Sequence, residues 1–349
     1  MKAVDGILGK GLTALFPRPS TGFLRDCRKL LLIRPGGIGD AILLVPTVNA
    51  IKRAYPDCTI DILAEKRNAA VFALYPGIRA IYLYHSLNNL FSVFRKRYDV
   101  VVDTEQWYFL SAVVARLVRA PIKIGFATNE RGRLFTHLVP YPHDVYEVET
   151  FLTLLRPLKV NVAPGTLQPF LHVPETAVSA SSLLAEAGVS QFMALFPGTS
   201  VREKRWETKR FVSLVARLTS QGKTVVIVGG TEDIPIGEEI AKVGGVNLAG
   251  RTSLAETAAV IARADVLVSG DSGVLHLAAG LGVPTVALFG PSSIAKWSPR
   301  GSSDRVVSAQ SACSPCSRYG TIPSCPYNVR CMADITLDEV IMAIESVIA

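Results

Sequence analysis

Patterns typical of β-strands and of α-helices alternate along almost the whole chain, and this alternation restricts the fold more than any other feature. It indicates α/β architecture with parallel sheets. The strands predicted in the N-terminal half are Lys29–Arg34, Thr59–Leu63, Ala80–Leu83, Val100–Asp103 and Ile122–Gly125. Those in the C-terminal half are the strand within FMALFPGTS (192–200), Thr224–Gly229, Val246–Leu248, Val266–Ser269 and Thr285–Phe289.

Each half opens with a strand, a glycine-containing turn and a helix, which predicts two Rossmann-like domains. We expect a basic leader at 1–28, a first domain at 29–165, a linker and first helix at 166–190, and a second domain at 191–349. Two such domains would face a central cleft, and ligands would bind at the carboxyl ends of both sheets.

The positive charge of the chain is confined to its N-terminal half. Residues 1–170 contain 22 basic and 13 acidic side chains, whereas residues 171–349 contain 15 and 16, for a total of +8. An anionic partner is therefore expected at the first half: a phosphorylated substrate, a membrane surface or nucleic acid. Nucleic acid is the weakest of these, because no nucleic-acid-binding motif is present.

The leader and the apolar composition raise the question of membrane contact. Mean hydropathy is +0.32, but no run reaches the roughly 18 apolar residues of a spanning helix. The leader contains a short amphipathic stretch, GILGKGLTALF, without the apolar region and cleavage site of a signal peptide. We expect either a loosely packed leader or one that attaches to anionic lipid.

The turn after the first strand, PGGIGD, does not match a dinucleotide fingerprint. After Gly37 and Gly39 the third glycine should stand at position 42, which is Ile42. Asp40 instead enters the first turn of the helix, where the helix dipole favours an ionised carboxylate. A carboxylate there repels phosphate but suits a general base. The alternative is a plain helix N-cap.

Two stretches of the second half are suited to hold a diphosphate. In FPGTSVREKRW (196–206), a strand ends in Thr199 and Ser200, and Lys204 follows. Backbone amides, hydroxyls and a lysine at a strand's carboxyl end are what a diphosphate needs, although a solvated basic loop would read the same way.

The second of these stretches, SGDSGVLH (269–276), closes a strand and opens a helix. Here Ser272 and Gly273 would offer backbone amides, and His276, one turn further, would donate to a phosphate oxygen. A structural histidine is the alternative.

These blocks, in this order, resemble glycosyltransferase family 9, which includes the ADP-heptose:lipopolysaccharide heptosyltransferases. GGIGD, FPGTSVREKRW, TEDIPIGEEI, NLAGRTSLAE and DSGVLHLAAGLGVPTVALFGP all correspond, over roughly residues 29–345. The resemblance implies a GT-B fold, with the acceptor in the N-terminal domain and the nucleotide-sugar in the C-terminal one.

The resemblance also implies roles for individual residues. Asp40 would be the catalytic base of an inverting transfer, and Glu232 would contact the nucleoside. Asp271 would bind sugar hydroxyls or orient its loop. The diphosphate would be held by Thr199, Ser200, Lys204, Ser272, Gly273 and His276. Because Lys204 supplies positive charge to the leaving diphosphate, no metal is required.

Four cysteines near the C-terminus are spaced as Cys313-x2-Cys316-x8-Cys325-x5-Cys331. The first pair has a zinc-ligand gap, and the second pair does not. Reduced structural thiols, disulfides and a zinc site therefore remain open.

The function expected is transfer of a heptose from a nucleoside-diphosphate sugar, ADP-heptose first, to an anionic lipopolysaccharide-core acceptor. This predicts a cytoplasmic enzyme, peripheral on the inner face of the inner membrane. The alternatives are a GT-B nucleotide-sugar epimerase and a catalytically silent nucleotide-sugar-binding protein.

Overall fold

The computed structural model describes residue 5 and residues 9–20, 26–162, 169–173 and 179–348. The chain divides into two compact units, Met1–Leu167 and Gln168–Ala349. Parts of the predicted leader, and residues 166–168 and 174–178 of the predicted linker, lie outside the described residues.

The first unit is built on a six-stranded parallel sheet with the order β3-β2-β1-β4-β5-β6. Its strands are β1 Lys29–Arg34, β2 Thr59–Ala64, β3 Ile78–Leu83, β4 Val100–Asp103, β5 Ile122–Phe126 and β6 His137–Val139. Its helices are α1 Lys10–Leu15, α2 Ile38–Ala54, α3 Ala69–Ala73, α4 Leu87–Arg95, α5 Phe109–Leu117 and α6 Glu147–Thr153.

The second unit also has a six-stranded parallel sheet, with the order β12-β11-β10-β7-β8-β9. Its strands are β7 Met193–Phe196, β8 Val225–Ile227, β9 Val246–Asn247, β10 Leu267–Gly270, β11 Thr285–Leu288 and β12 Arg305–Val307. Its helices are α7 Ser179–Glu186, α8 Thr208–Ser220, α9 Ile234–Ala241, α10 Leu254–Ile261, α11 Gly273–Leu281, α12 Ile294–Trp297, α13 Arg330–Ala333 and α14 Leu337–Ile348.

The two sheets have the same topology, which confirms two Rossmann-like domains. In each, the second and third strands lie on one side of the first strand and the fourth lies on the other. The order therefore reverses between β1 and β4, and again between β7 and β10. Ligands of such sheets bind beyond the carboxyl ends of the strands at this switch point.

Burial explains why the central strands could be predicted from the sequence. In β1, every residue after Lys29 is buried, as expected for a parallel strand that helices cover on both faces. Helix α2 also buries one apolar stripe, since Ala41, Leu44, Val45 and Ile51 belong to the core.

Two helices of the second unit begin at capping boxes. Ser253 caps α10 and exchanges hydrogen bonds with Glu256. Thr336 does the same with Glu339 at the start of α14. The edge strands β6 and β12 were not predicted, and β3 begins two residues earlier than expected, at Ile78.

The described part of the leader packs against the first unit and is not a loose tail. The carboxylate of Asp5, 6% exposed, accepts hydrogen bonds from the backbone N–H groups of Phe109 and Leu110 at the start of α5. Helix α1 contacts α5 and the turn Glu130–Leu134. Within the part of the chain that the structure describes, no helix is long and apolar enough to cross a membrane.

Candidate active site

In the second unit, the loops that follow β7 and β10 meet at the switch point. Lys204, from the loop after β7, and Asp271, directly after β10, form an ion pair with 2.6 Å between Nζ and Oδ2. The Lys204 backbone carbonyl lies 3.3 Å from the position of a Cβ on Gly270, so that loop runs close over the end of β10. Sequence reasoning placed both residues at one site, and the structure brings them together.

Trp206 anchors the loop that carries Lys204. Its side chain is 1% exposed and packs edge-on against Phe211 of α8, and its indole N–H donates to the backbone carbonyl of Ile335 at 3.2 Å. A short helical turn, Arg202–Lys204, precedes it. The loop is therefore fixed at its carboxyl end, which limits where the ammonium group of Lys204 can lie.

Asp271 is a buried carboxylate held ionised by two neighbours. Burial acts to raise its pKa, but Lys204 and His276 outweigh burial, and the pKa stays well below its usual range. The Nε2 atom of His276 lies 3.6 Å from Oδ1 of Asp271. Asp271 thus holds the ammonium group of Lys204, a contact that neither of its two expected roles included, and those two roles stay predictions.

His276 lies deeper than the sequence suggested. The residue is 3% exposed, and its Nδ1 is buried without a hydrogen-bond partner among the described residues. The partner that the structure gives the ring is Asp271, on its Nε2 side. A hydrogen bond from the His276 ring to a phosphate oxygen stays a prediction.

The start of α11 presents backbone N–H groups of the kind that bind anions. Ser272 is the N-cap, and its hydroxyl accepts from the N–H of Leu275 at 3.1 Å and lies 2.9 Å from the Ser269 hydroxyl. Its side chain is thereby engaged, which leaves the backbone to meet a ligand. Gly273 opens the helix and is only partly buried. The first N–H groups of a helix have no intrahelical partner and attract anions.

The hydroxyl residues of the lysine loop differ in availability. Thr199 uses its hydroxyl within the loop, donating to the carbonyl of Val201 and accepting from its N–H, both at 3.2 Å. Ser200 is exposed. Of the two, Ser200 has the freer side chain.

Glu232 lies in the short turn Thr231–Asp233 after β8 and is exposed. Its neighbour Asp233 is buried, and one carboxylate oxygen accepts from the N–H of Gly230 at 2.9 Å. A Cβ on Gly198 would lie 2.2 Å from Oδ1 of Asp233. Glycine at 198 is thus required for this turn to approach the loop after β7.

In the first unit, Asp40 lies in the first turn of α2, beside the switch point between β1 and β4. The N-cap is Gly37, so the interpretation of Asp40 as a plain N-cap is wrong. Its side chain is 23% exposed, and Oδ1 lies 3.7 Å from the guanidinium NH2 of Arg34. Asp40 is an accessible carboxylate with a fixed cation beside it.

Arg34, the last residue of β1, was missed as a site residue. It is 2% exposed, donates to the carbonyl of Thr104 at 2.9 Å, and lies 3.8 Å from Oε2 of Glu105. Burial opposes its charge, but Asp40, Glu105 and Glu147 outweigh burial and raise its pKa. The available signal was a charged residue ending an otherwise apolar strand.

Arg131 organises the loop after β4, which carries Glu105. It is fully buried, lies 2.5 Å from Oδ2 of Asp103, and donates to the carbonyls of Glu105 and Tyr108. Burial raises the pKa of Asp103 to about 6, although Arg131 opposes that rise. The sequence signal for this loop was the pair of acids in VVVDTEQW.

All six cysteines are free thiols in the structure. The pKa of Cys331 is raised to about 11, first by burial and then by the thiols of Cys313, Cys316 and Cys325. Among the residues described, no three His, Cys, Asp or Glu side chains are grouped to hold a metal ion. A zinc site at Cys313, Cys316, Cys325 and Cys331 stays a prediction.

Comparisons with known proteins identify the family and the fold. The family model of glycosyltransferase family 9 (heptosyltransferase) matches residues 89–325. Lipopolysaccharide heptosyltransferase 3 of Escherichia coli is 29% identical over 290 residues, which cover 75% of this chain and 83% of that protein.

Two solved structures share the fold. A family 9 glycosyl transferase from Veillonella parvula DSM 2008 has a TM-score of 0.78 at 20% identity, covering 94% of this chain and 99% of that one. ADP-heptose lps heptosyltransferase II of E. coli has a TM-score of 0.75 at 24% identity, covering 92% and 98%. They confirm the predicted GT-B fold. Because the family model extends over more than half of the 349 residues, this chain is a glycosyltransferase that belongs to glycosyltransferase family 9.

Proposed function

We propose that the protein is an inverting glycosyltransferase that transfers a heptose from ADP-heptose to a lipopolysaccharide-core acceptor. The observation that carries this proposal is the similarity to lipopolysaccharide heptosyltransferase 3, which extends over most of both chains. The two switch-point sites supply the chemistry that such a reaction requires: an accessible carboxylate in one unit, and a lysine beside a helix N-terminus in the other.

The donor is proposed to bind at the second unit. Lys204 and the backbone N–H groups at Ser272 and Gly273 would hold the diphosphate, because a cation and a helix N-terminus both favour a bound anion. Ser200 would add a hydroxyl, and Glu232 would contact the nucleoside from its exposed turn. Asp271, which His276 contacts, would hold the ammonium group of Lys204 in place.

The reaction is proposed to be a single displacement. Asp40 takes the proton of the acceptor hydroxyl while that oxygen forms a bond to the anomeric carbon of the donor sugar. The bond between this carbon and the diphosphate oxygen breaks on the opposite face, and ADP leaves with the electron pair. Lys204 stabilises the negative charge on the departing diphosphate, so the step needs no metal.

Membrane contact is proposed through the first unit, whose net charge is positive. Helix α4 supports this, because Leu87 and Phe91, one turn apart, are 71% and 60% exposed. Exposed Arg95 and Arg97 follow on the same segment. Apolar side chains flanked by arginines are suited to an anionic lipid surface. This would place the enzyme at the cytoplasmic face of the inner membrane.

The two alternative functions make different predictions. An epimerase of the same fold would convert the nucleotide-sugar without an acceptor, and a silent binding protein would leave it intact. The family match favours transfer. Incubation of the enzyme with ADP-heptose, with and without a heptose-deficient lipopolysaccharide, separates all three by the products formed.

The test of the mechanism is Asp40→Asn. Removing the charge of Asp40 leaves the buried Arg34 with Glu105 at 3.8 Å. The neutral isostere should therefore lower the free energy of unfolding by about 1–2 kcal/mol, less than when a buried charge is left without any partner. ADP affinity should persist. Transfer should fall by a factor on the order of 10²–10⁴, which is what a general base contributes.

The matched control is Asp57→Asn, an exposed acid just beyond the other end of α2. It should transfer at the wild-type rate. Near-normal transfer by Asp40→Asn would remove Asp40 from the chemistry, whereas loss of ADP binding would point to a wider structural effect.

A further inference from the structure

A cavity of about 120 Å³ lies at the carboxyl edge of the first sheet. Its walls include residues that lie one or two positions beyond the ends of the strands: Gly36 after β1, Glu65 after β2, Tyr84 after β3 and Glu105 after β4. One water needs only about 10–15 Å³, so the cavity has room for a small organic group.

The cavity adjoins the proposed base. Gly36 belongs to the turn that leads into Asp40, and one guanidinium serves both places. The NH2 atom of Arg34 lies 3.8 Å from Oε2 of Glu105, in the cavity wall, and 3.7 Å from Oδ1 of Asp40. A group bound in the cavity would therefore lie within reach of Asp40.

The wall is rich in carboxylates although this half of the chain is basic. Asp5, Glu65 and Glu105 line it, and its cation, Arg67, is already paired with Glu65 at 2.8 Å. The Arg67 side chain is 63% exposed, so its charge is directed largely to solvent.

Glu105 can still accept hydrogen bonds from a ligand. Its Oε1 accepts from the backbone N–H groups of Gln106 and Trp107 at 3.0 and 2.9 Å. Its Oε2 faces Arg34 at 3.8 Å, beyond hydrogen-bond distance. The loop thus fixes this carboxylate and leaves one oxygen with unused acceptor capacity.

Tyr84 adds a hydroxyl to the same wall. Burial, followed by the carboxylates of Asp103, Asp5 and Glu105, raises its pKa above the ordinary tyrosine value. The phenol therefore stays protonated, and the field around it is negative. A ligand beside Tyr84 meets hydrogen-bond acceptors and a negative potential.

We propose that this cavity binds the reacting sugar ring of the acceptor, and that it selects a neutral polyhydroxylated ring over one that carries a carboxylate or phosphate. The proposal rests on the proposed glycosyl transfer and specifies its acceptor. Ring hydroxyls donate to Glu65 and Glu105. An anionic substituent instead meets three carboxylates and one lining cation, Arg67, which is already paired with Glu65, so it is repelled. Anionic groups of the acceptor that lie outside the reacting ring would contact the exposed arginines of this unit.

Direct binding to the full-length protein without donor tests the proposal. The probes are the methyl glycoside of a heptose, which is neutral, and the methyl glycoside of an ulosonic acid, which carries a carboxylate. Titration followed by NMR should show the neutral probe binding at least about tenfold more tightly. Glu65→Gln and Tyr84→Phe should each lower the affinity for the neutral probe about three- to tenfold. Glu65→Lys should reduce the ratio between the affinities for the neutral and the anionic probe.

The controls are Glu130→Gln and Tyr75→Phe, an exposed acid and a tyrosine of the same unit that do not line the cavity. They should bind the neutral probe as the wild type does, and all variants should keep their ADP affinity. Equal binding of both probes, or a neutral probe unaffected by Glu65→Gln and Tyr84→Phe, would overturn the proposal. Because no donor is present, this result is independent of whether heptose transfer is observed.

Discussion

Replacing Lys204 by methionine tests the site in the second unit most directly. Methionine keeps the apolar stem of the side chain and removes the ammonium group that lies 2.6 Å from Oδ2 of Asp271. Asp271, 6% exposed, would then be an ionised carboxylate with only His276 beside it, at 3.6 Å. The variant therefore changes both stability and donor binding.

The expected stability cost follows from the burial of the pair. Removing one partner of a buried ion pair typically costs about 3–5 kcal/mol, because the other charge is left uncompensated. Here the lysine side chain is 20% exposed and His276 remains, so a cost of about 2–3 kcal/mol is expected. The direct attraction, about 6 kcal/mol at an effective dielectric of 20, sets an upper bound before desolvation.

A double-mutant cycle separates charge from packing. Asp271→Asn leaves Lys204 free to reach solvent and should cost less than Lys204→Met. The double variant should be more stable than Lys204→Met alone, because the stranded carboxylate is gone. Urea unfolding gives the free energy of unfolding of all four proteins. The comparison requires that this free energy depend on urea concentration with the same slope in each protein.

The pH dependence follows from the lowered pKa of Asp271. That pair contributes stability above the unfolded aspartate pKa of about 3.9, and the contribution is lost as pH falls through the lower folded value. The difference between wild type and Lys204→Met should thus be largest near neutrality and shrink in acid. A cost below about 0.5 kcal/mol, or a double variant no more stable than Lys204→Met, would refute a coupled buried pair. Calorimetric titration should show ADP affinity lowered about tenfold or more by Lys204→Met.

Two further predictions concern binding to membranes and the absence of a metal requirement. Phe91→Asp should weaken binding of the protein to vesicles of phosphatidylglycerol and phosphatidylethanolamine. Binding of the wild type should fall as the salt concentration rises. The control is Met342→Asp, at an equally exposed residue of the second unit, which should not change vesicle binding. Removing residues 1–28 is a poorer test, because Asp5 holds the start of α5. Transfer should survive dialysis against EDTA, and the dialysed protein should contain no zinc; loss of activity restored by zinc would place a metal in the reaction.

The sequence predicted the fold to the extent that burial leaves a local pattern. Central parallel strands such as β1 and β7 are covered on both faces and appear as short apolar runs. The edge strands β6 and β12 have three residues each and are partly exposed, so no such run marks them. Capping boxes were predictable because their two residues are three positions apart.

The site was predicted less completely, because its contacts join distant parts of the chain. Lys204 was assigned to the diphosphate and Asp271 to the sugar hydroxyls or to its own loop. Their mutual ion pair spans 67 positions, and no local pattern encodes it. Arg34 was passed over for the same reason, since Glu105 lies 71 residues further on. The depth of His276 depends on how α11 packs, which its spacing from Asp271 does not reveal.

The two switch points use the same kind of ion pair with the exposures reversed. In the first unit the cation is buried and the carboxylate is accessible: Arg34 is 2% exposed and Asp40 23%. In the second the carboxylate is buried and the cation is accessible: Asp271 is 6% exposed and Lys204 20%. In each pair the buried partner is fixed by the fold and determines which charge the unit presents at its carboxyl edge. One topology thus presents an accessible carboxylate in one unit and an accessible cation in the other, the two kinds of group that the proposed transfer requires.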